Sequence, residues 1–498
     1  MTDDLCTKSS SLARSLGSSA LKTSALVLLL VVTNGFAIAA DQESNTNPCN
    51  VSKEDEAGLN GHFDTDVHAT RNYMTTIAGV LKEEKFDELD CLADRARSNK
   101  ERFPGGLWKL HTLYGGLYTP VQYPVTRATR QDWNTHLQHL QQWVASRPKS
   151  VTARVALAKA YLFYAYDARG GGYADTVSDS GWKLFGERTA QAKQILEDAS
   201  ALPTKCPEWY LDMLLVAQNQ GWRASDARAV FDEGFKFEPG YFYNARVLAN
   251  YLLPKWTREE GATERFTQEI ADRIGGSQGD IFYFQVATAP DLICGCDEDP
   301  HLSMERIERG FEASEKQYGV SMLNLNLIAF LTTNYRDSDA VVAEKALARI
   351  REQWDEETWK TKQDFEAAKT WAATWAPVKA KEYAVRAAAE ANMRTPEGAR
   401  YKASFEKTYR ELVQQCVRTD GSTVDQWKGK FETVASIGAK GTFEDGWIAW
   451  MGPVVMCLQR KIQTSRQEGS PLFPPPPQAP YWVKLDLDWA DFTPVAAK

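Results

Sequence analysis

The stretches AKQILEDASALP (Ala192–Pro203) and ARAVFDEGFKFEP (Ala227–Pro239) decide the fold, because laid over one another they repeat a single design. Ala192, Leu196 and Ala199 return as Ala227, Phe231 and Gly234, each 35 residues later, and Ala262 and Phe266 follow after a further 35. A small residue, a large one four places on and a small one three after that share one helical face. The small positions let a neighbouring helix approach, and the large one fills the space between them. Only the third column breaks the rule, at Glu269. A fixed period of this length predicts stacked helical hairpins.

This spacing is that of the second helix of a tetratricopeptide hairpin. First helices are expected at Leu157-Ala158-x-x-Tyr161 and Leu248-Ala249-x-x-Leu252, which follow breaks at Pro148 and Pro239, although Leu252 puts an aliphatic residue in an aromatic place. Tyr161 and Ala192 stand too far apart for an ordinary hairpin. The surplus is the segment Arg169–Gly181, and the run Gly170-Gly171-Gly172 is unfavourable inside a helix, so a loop is inserted between the two helices of one repeat. Insertions in solenoids fall on one face, often the binding face. Arg169, Tyr173, Trp182, Arg188 and Trp209 are therefore the candidate binding residues. Aromatic rings give large contact area at small entropic cost, and guanidinium groups grip carboxylates through paired bonds.

Further amphipathic helices are expected at 304–318, 323–331, 341–354 and 365–375. Thr395-Pro396-Glu397 then opens a helix that carries Tyr401, Phe405, Tyr409, Leu412 and Cys416 on one face. Beyond it the period changes. Phe431, Thr433, Ala435 and Ile437 alternate as a strand, Gly438–Gly441 turns, and 442–448 returns as a second strand. Pro453 starts a short helix with Val454, Cys457, Leu458 and Ile462, and the proline-rich segment 471–480 leads to a last strand, in which Val483, Leu485, Leu487 and Trp489 alternate with charged residues. The fold class is mainly α: a tetratricopeptide-like α-solenoid over 61–394, followed by a small α+β module of β-β-α-β order over 395–498.

Lys8, Arg14 and Lys22, the apolar run Ala25–Val32 and the small residues ending at Ala40 have the form of a secretory signal peptide, with 41–60 a linker. The apolar run is shorter than the about 20 residues that a spanning helix needs, so no stable membrane insertion is expected after cleavage. Cleavage removes three basic and two acidic residues and leaves 55 basic against 64 acidic, a net charge of −9. That balance lacks the basic surface that nucleic acid requires. Seven cysteines remain, and an oxidising compartment permits disulfides. Cys416 and Cys457 lie on the buried sides of successive helices and are expected to pair, Cys49 with Cys91 is a second pairing, and Cys206 is the expected free thiol. The fates of Cys294 and Cys296 stay open.

Other motifs read as architecture. Gly275-Gly276-Ser277-Gln278-Gly279 matches the hydrolase nucleophile elbow, but no strand precedes it, so it is an inter-repeat turn. The cluster from Cys294 to His301 has C-x-C rather than C-x-x-C spacing, which favours disulfide over zinc chemistry. His136 and His139 lack a third ligand and are read as solvent-facing or capping, and the glycine run lacks the Lys and Ser/Thr of a phosphate loop. No metal and no cofactor is expected.

The run Ala168–Ala174, then Gly181-Trp182, Phe185, Arg188, Ala192, Leu196 and Cys206-Pro207-Glu208-Trp209-Tyr210, resembles the bacterial family called domain of unknown function 4034 over residues 80–330. That resemblance implies a tetratricopeptide-like fold and no activity. The Gly441 turn, the helix with Cys457 and the Phe473-Pro474 approach to the last strand resemble the C-terminal domain of TonB-type energy transducers. The function expected is non-enzymatic: a periplasmic or secreted scaffolding protein of the bacterial envelope that binds a protein or peptide partner on the solenoid face. The alternatives are an envelope hydrolase and a transducer-like partner that docks through its C-terminal sheet edge.

Overall fold

The computed structural model describes residues 49–120, 128–289, 292, 301–334, 338–420, 429–448 and 453–492. The segment expected to be a signal peptide and the residues Cys294 and Cys296 lie outside the described residues. The described chain is mainly helical with a small antiparallel sheet near its C-terminal end, and it divides into two compact units, Met1–Ala372 and Ala373–Lys498.

The first unit contains α1 (Lys53–Asn60), α2 (Asp66–Lys82), α3 (Phe86–Asn99), α4 (Lys109–Gly115), α5 (Arg130–Ser146), α6 (Val151–Arg169), α7 (Asp179–Ser200) and α8 (Pro207–Gln220). It continues with α9 (Ala224–Phe237), α10 (Tyr243–Tyr251), α11 (Ala262–Ile274), α12 (Gly276–Ala287), α13 (Met304–Tyr318), α14 (Met322–Asn334) and α15 (Ala340–Ile350). Many starts are set by the residue in front: Ser52, Thr65, Thr129, Ser150, Ser178, Ser303 and Asp339 each accept a backbone N–H of the first turn.

Two kinds of helix alternate. α7, α9 and α11 bury one stripe, formed by Ala192, Leu196 and Ala199, by Ala227, Phe231 and Gly234, and by Ala262, Phe266 and Ile270. α6, α8, α12 and α14 bury most of their circumference. Each hairpin thus sets an enclosed helix beside a half-exposed one. Glu269, the residue that broke the column, stays exposed and takes an ion pair from Arg228 of α9 at 2.5 Å. The Gly275–Gly279 motif joins α11 to α12, with Ser277 inside a helix.

Neighbour stacking, which defines a solenoid, is not the whole of the packing. Asp66 of α2 accepts from Ser321 Oγ at 2.5 Å and from Met322 N–H at 2.6 Å, at the start of α14. The arm that joins α3 to α4 runs across other helices: Asn324 donates to Gly105 O at 3.3 Å, the Trp108 indole donates to Gly240 O at 3.0 Å, and the Tyr243 hydroxyl accepts from Trp108 N–H at 3.2 Å. Phe103, Leu107, Trp108, Leu110, Leu113, Tyr114 and Leu117 are all buried there. Gly105 has a φ of +71°, and a Cβ on it would lie 2.2 Å from that of Ser321, so only glycine fits.

Two further expectations change. The supposed linker 41–60 contains α1, and the Cys49–Cys91 disulfide, with Cα atoms 5.5 Å apart, fastens its approach to α3. His136, read as solvent-facing or capping, does not face solvent: it is buried with Nε2 bonded to Leu117 O at 2.8 Å, and burial lowers its pKa to about 4. The reason is the segment after α4, whose Leu117 carbonyl lies against α5.

The second unit begins inside α16 (Lys362–Met393), continuous past Pro377, instead of at residue 395. Its later turns place Val385 and Ala389 with Val434 of the sheet, between half-buried Trp447 and Trp482. α17 (Pro396–Asp420), β1 (Lys430–Ile437), β2 (Phe443–Ile448), α18 (Pro453–Glu468) and β3 (Tyr481–Asp488) follow in the expected β-β-α-β order. The sheet runs β2-β1-β3, all antiparallel, with Ala435 opposite Gly446 on one side and Val483 on the other. Tyr401, Phe405, Tyr409 and Val413 of α17 form its second core with Phe431, Leu485, Leu487 and Leu458. The Cys416–Cys457 disulfide ties α17 to α18.

Candidate functional site

Continuous α6 and α7 shorten the insert to residues 170–178. Gly170, at φ +73°, ends α6, and Ser178 accepts from Gly181 N–H to start α7. A Cβ on Gly181 would meet Ala168 O at 3.0 Å, so glycine lets the two helix ends lie close.

Arg169 Nη1 donates to Gly170 O at 3.1 Å and Gly172 O at 3.0 Å, and its guanidinium stands 5.3 Å from the Trp182 ring. Arg188 Nη1 donates to Tyr164 O at 2.5 Å and its guanidinium covers the Tyr164 ring. Trp209 donates its indole N–H to Leu196 O at 2.7 Å. These three residues hold α6, α7, α8 and the loop together. Tyr173 and Trp182 are 56% and 39% exposed, and Trp182 rests edge-on against Phe185. The structure therefore places Arg169, Tyr173 and Trp182 at the insert, Arg188 further along the α6–α7 pair and Trp209 toward the other end of α7, with the arginines turned to backbone carbonyls and Tyr173 and Trp182 toward solvent.

Away from the insert, between α4, α6 and α8, lies a cluster that reading by spacing missed. Lys159 of α6 reaches Glu208 Oε1 at 2.7 Å and Asp212 Oδ1 at 2.8 Å, both on α8. His111 of α4 sets Nδ1 3.1 Å from both Glu208 oxygens and stacks on Tyr243 with ring centres 3.7 Å apart. Tyr241 donates its hydroxyl to Glu208 Oε2, and Tyr114 stands 3.4 Å from the free, buried thiol of Cys206.

Burial alone would raise the Glu208 carboxyl, but His111 and Lys159 outweigh it and hold the group well below its ordinary value. Asp212 has Lys159 alone as partner for one oxygen, and burial pushes it up to about 7. Burial also lowers the His111 imidazole despite the Glu208 contact. At neutral pH one ammonium therefore faces one full carboxylate, and a neutral imidazole donates its Nδ1–H to that carboxylate. Glu208 and Asp212 are fully enclosed, both bond Lys159, and Glu208 also bonds His111, so the cluster locks α4, α6 and α8 in register. The only sequence signal was a lysine inside the apolar run Val155–Leu162.

No family model matches the sequence, and no curated protein and no solved structure matches it.

Proposed function

We propose that this chain is a non-enzymatic, exported binding protein of the bacterial envelope, periplasmic or secreted, whose tetratricopeptide-like helical hairpins present the glycine insert to an extended peptide of a protein partner. The observation that carries the reading is the pairing of a pinned loop with exposed rings: Arg169 and Arg188 are spent on Gly170, Gly172 and Tyr164 carbonyls, while Tyr173 and Trp182 face solvent. Rings held on a rigid frame bind with little ordering cost, which suits stacking on a peptide better than gripping a free carboxylate. Two disulfides fit export to an oxidising compartment, and among the described residues no helix is long and apolar enough to cross a membrane.

The test compares wild type with Tyr173→Ala/Trp182→Ala in capture from envelope extract and in thermal melting. Lost capture with an unchanged melting curve supports the reading. A lowered melting temperature together with lost capture makes the rings structural. A second reading rests on β3, which occupies a sheet edge: this chain is then a transducer-like protein that docks through that edge by taking a strand from its partner. Amide exchange slowed in Tyr481–Asp488 on partner addition, and not around the insert, favours that reading.

A further inference from the structure

Lys159, Glu208 and Asp212 are placed as reactants as well as ion partners. Lys159 Nζ lies 2.8 Å from Asp212 Oδ1 and 2.7 Å from Glu208 Oε1. Oδ1 is bonded directly to Cγ, so the nitrogen stands within about 4 Å of that carbon, near the range from which an intramolecular attack proceeds. Lys159 is 3% exposed and both acids 0%, so bulk water does not reach the three groups. The second Asp212 oxygen, Oδ2, is buried with no hydrogen-bond partner among the described residues, so its bond to Cγ is what holds it. Glu208, by contrast, is fixed by His111 and Tyr241 with its other contact on Nζ.

We propose that Lys159 and Asp212 condense to an isopeptide bond, with Glu208 as the catalytic group that moves a proton between them. Lys159 Nζ first passes one proton to the Asp212 carboxyl, whose neutral acid is favoured by burial. The free amine attacks Cγ. Its nitrogen, now cationic and acidic, gives a second proton to Glu208 Oε1, and Glu208 hands that proton to the Asp212 hydroxyl. The Cγ–O bond breaks and the oxygen leaves as water. One N–H remains on the amide and Glu208 is a carboxylate again, so an ammonium and a carboxylate have become an amide and one water. A site closed to bulk water opposes the reverse hydrolysis. Burial would lower the Lys159 amine, but Asp212 and Glu208 outweigh it and keep an ammonium, so the step is slow. The freshly folded chain therefore carries the ion-paired set, in which Asp212 still titrates. The product ties α6 to α8 across 53 positions of sequence by a cross-link that, unlike the two disulfides, thiols do not reduce.

Intact mass of the full mature chain, reduced and alkylated, tests this on freshly folded material and after prolonged incubation at neutral pH. The expected result is conversion to a species one water lighter, about 18 Da, which yields a branched peptide joining Lys159 to Asp212. Lys159→Arg and Asp212→Ala keep the full mass. Glu208→Gln, which keeps the shape of the side chain but accepts no proton, slows conversion about tenfold or more. Wild type alone decides the matter if these variants fail to fold: full mass after incubation, with no branched peptide, overturns the proposal and leaves the set a buried ion cluster. Water lost through another pair of residues overturns it as well, as does a smaller effect of Glu208→Gln in folded protein. The partner-capture result at Tyr173 and Trp182 bears on none of these outcomes.

Discussion

Lys159 is the residue on which the first unit's interior turns. Among the described residues it is the one cation bonded to Glu208 and Asp212, and both carboxyl groups are enclosed. Removing one member of such a set strands the others, at a cost of about 3–5 kcal/mol. Lys159→Met is expected to lose about that much in urea unfolding; a loss below ~1 kcal/mol would show the set to be dispensable. Asp212 makes a separate, signed prediction. Its carboxyl titrates near 7 in the fold against an ordinary 3.8, so the fold favours the protonated form, and the resulting stabilisation is complete below 3.8 and drains away as pH rises to 7. Asp212→Asn fixes the neutral state. The melting temperature of wild type relative to this variant is therefore expected to fall between pH 4 and pH 7. Parallel curves would refute the assignment. Beyond the lysine inside the apolar run Val155–Leu162, little of this was legible beforehand, because His111, Lys159 and Glu208 are separated by about fifty residues at each step and no local spacing joins them.

At the scale of elements, legibility was high where the physics is local. The small-large-small stripe marked the buried faces of α7 and α9, the alternation at 431–437 marked β1, and Thr395-Pro396 marked the start of α17. Gly234 shows why the stripe is strict: a Cβ there would lie 2.9 Å from the Tyr210 ring and from Asn244 Nδ2. Gly234→Ala is expected to destabilise by about 1–3 kcal/mol in thermal melting despite the better helix propensity of alanine. A rise in stability would mean the helices relax freely. The Cys416–Cys457 bond closes 41 residues of sequence, and replacing both cysteines with serine is expected to cost roughly 3–4 kcal/mol in the chain-entropy account. Denaturant unfolding of that variant against the oxidised wild type measures it. Less legible were contacts between elements distant in sequence. The arm at 100–108 and the closure of α16 on the sheet depend on partners more than forty residues away, so neither leaves a periodic trace.

For the whole molecule, each unit owns a hydrophobic core, and α16 carries the chain from one to the other. The first unit keeps the alternation of enclosed and half-exposed helices that a repeat implies, then departs from simple stacking where the arm crosses it. The arm brings this chain's own Trp108 into that interior, while Tyr173 and Trp182 at the insert, like Phe237 and Trp256, stay exposed. Export is a further expectation at this scale: the mature N-terminus lies at Ala40 or Asp41, and N-terminal sequencing of periplasmic or secreted material checks it. The claim that the insert meets a partner is tested most directly by photo-crosslinking in intact cells. A photoreactive residue in place of Tyr173 is compared with the same group in place of Trp256, which is 47% exposed elsewhere on the unit. The account predicts a discrete crosslinked protein from position 173 and none from 256, and no adduct at 173, or the same adducts at both positions, would contradict it.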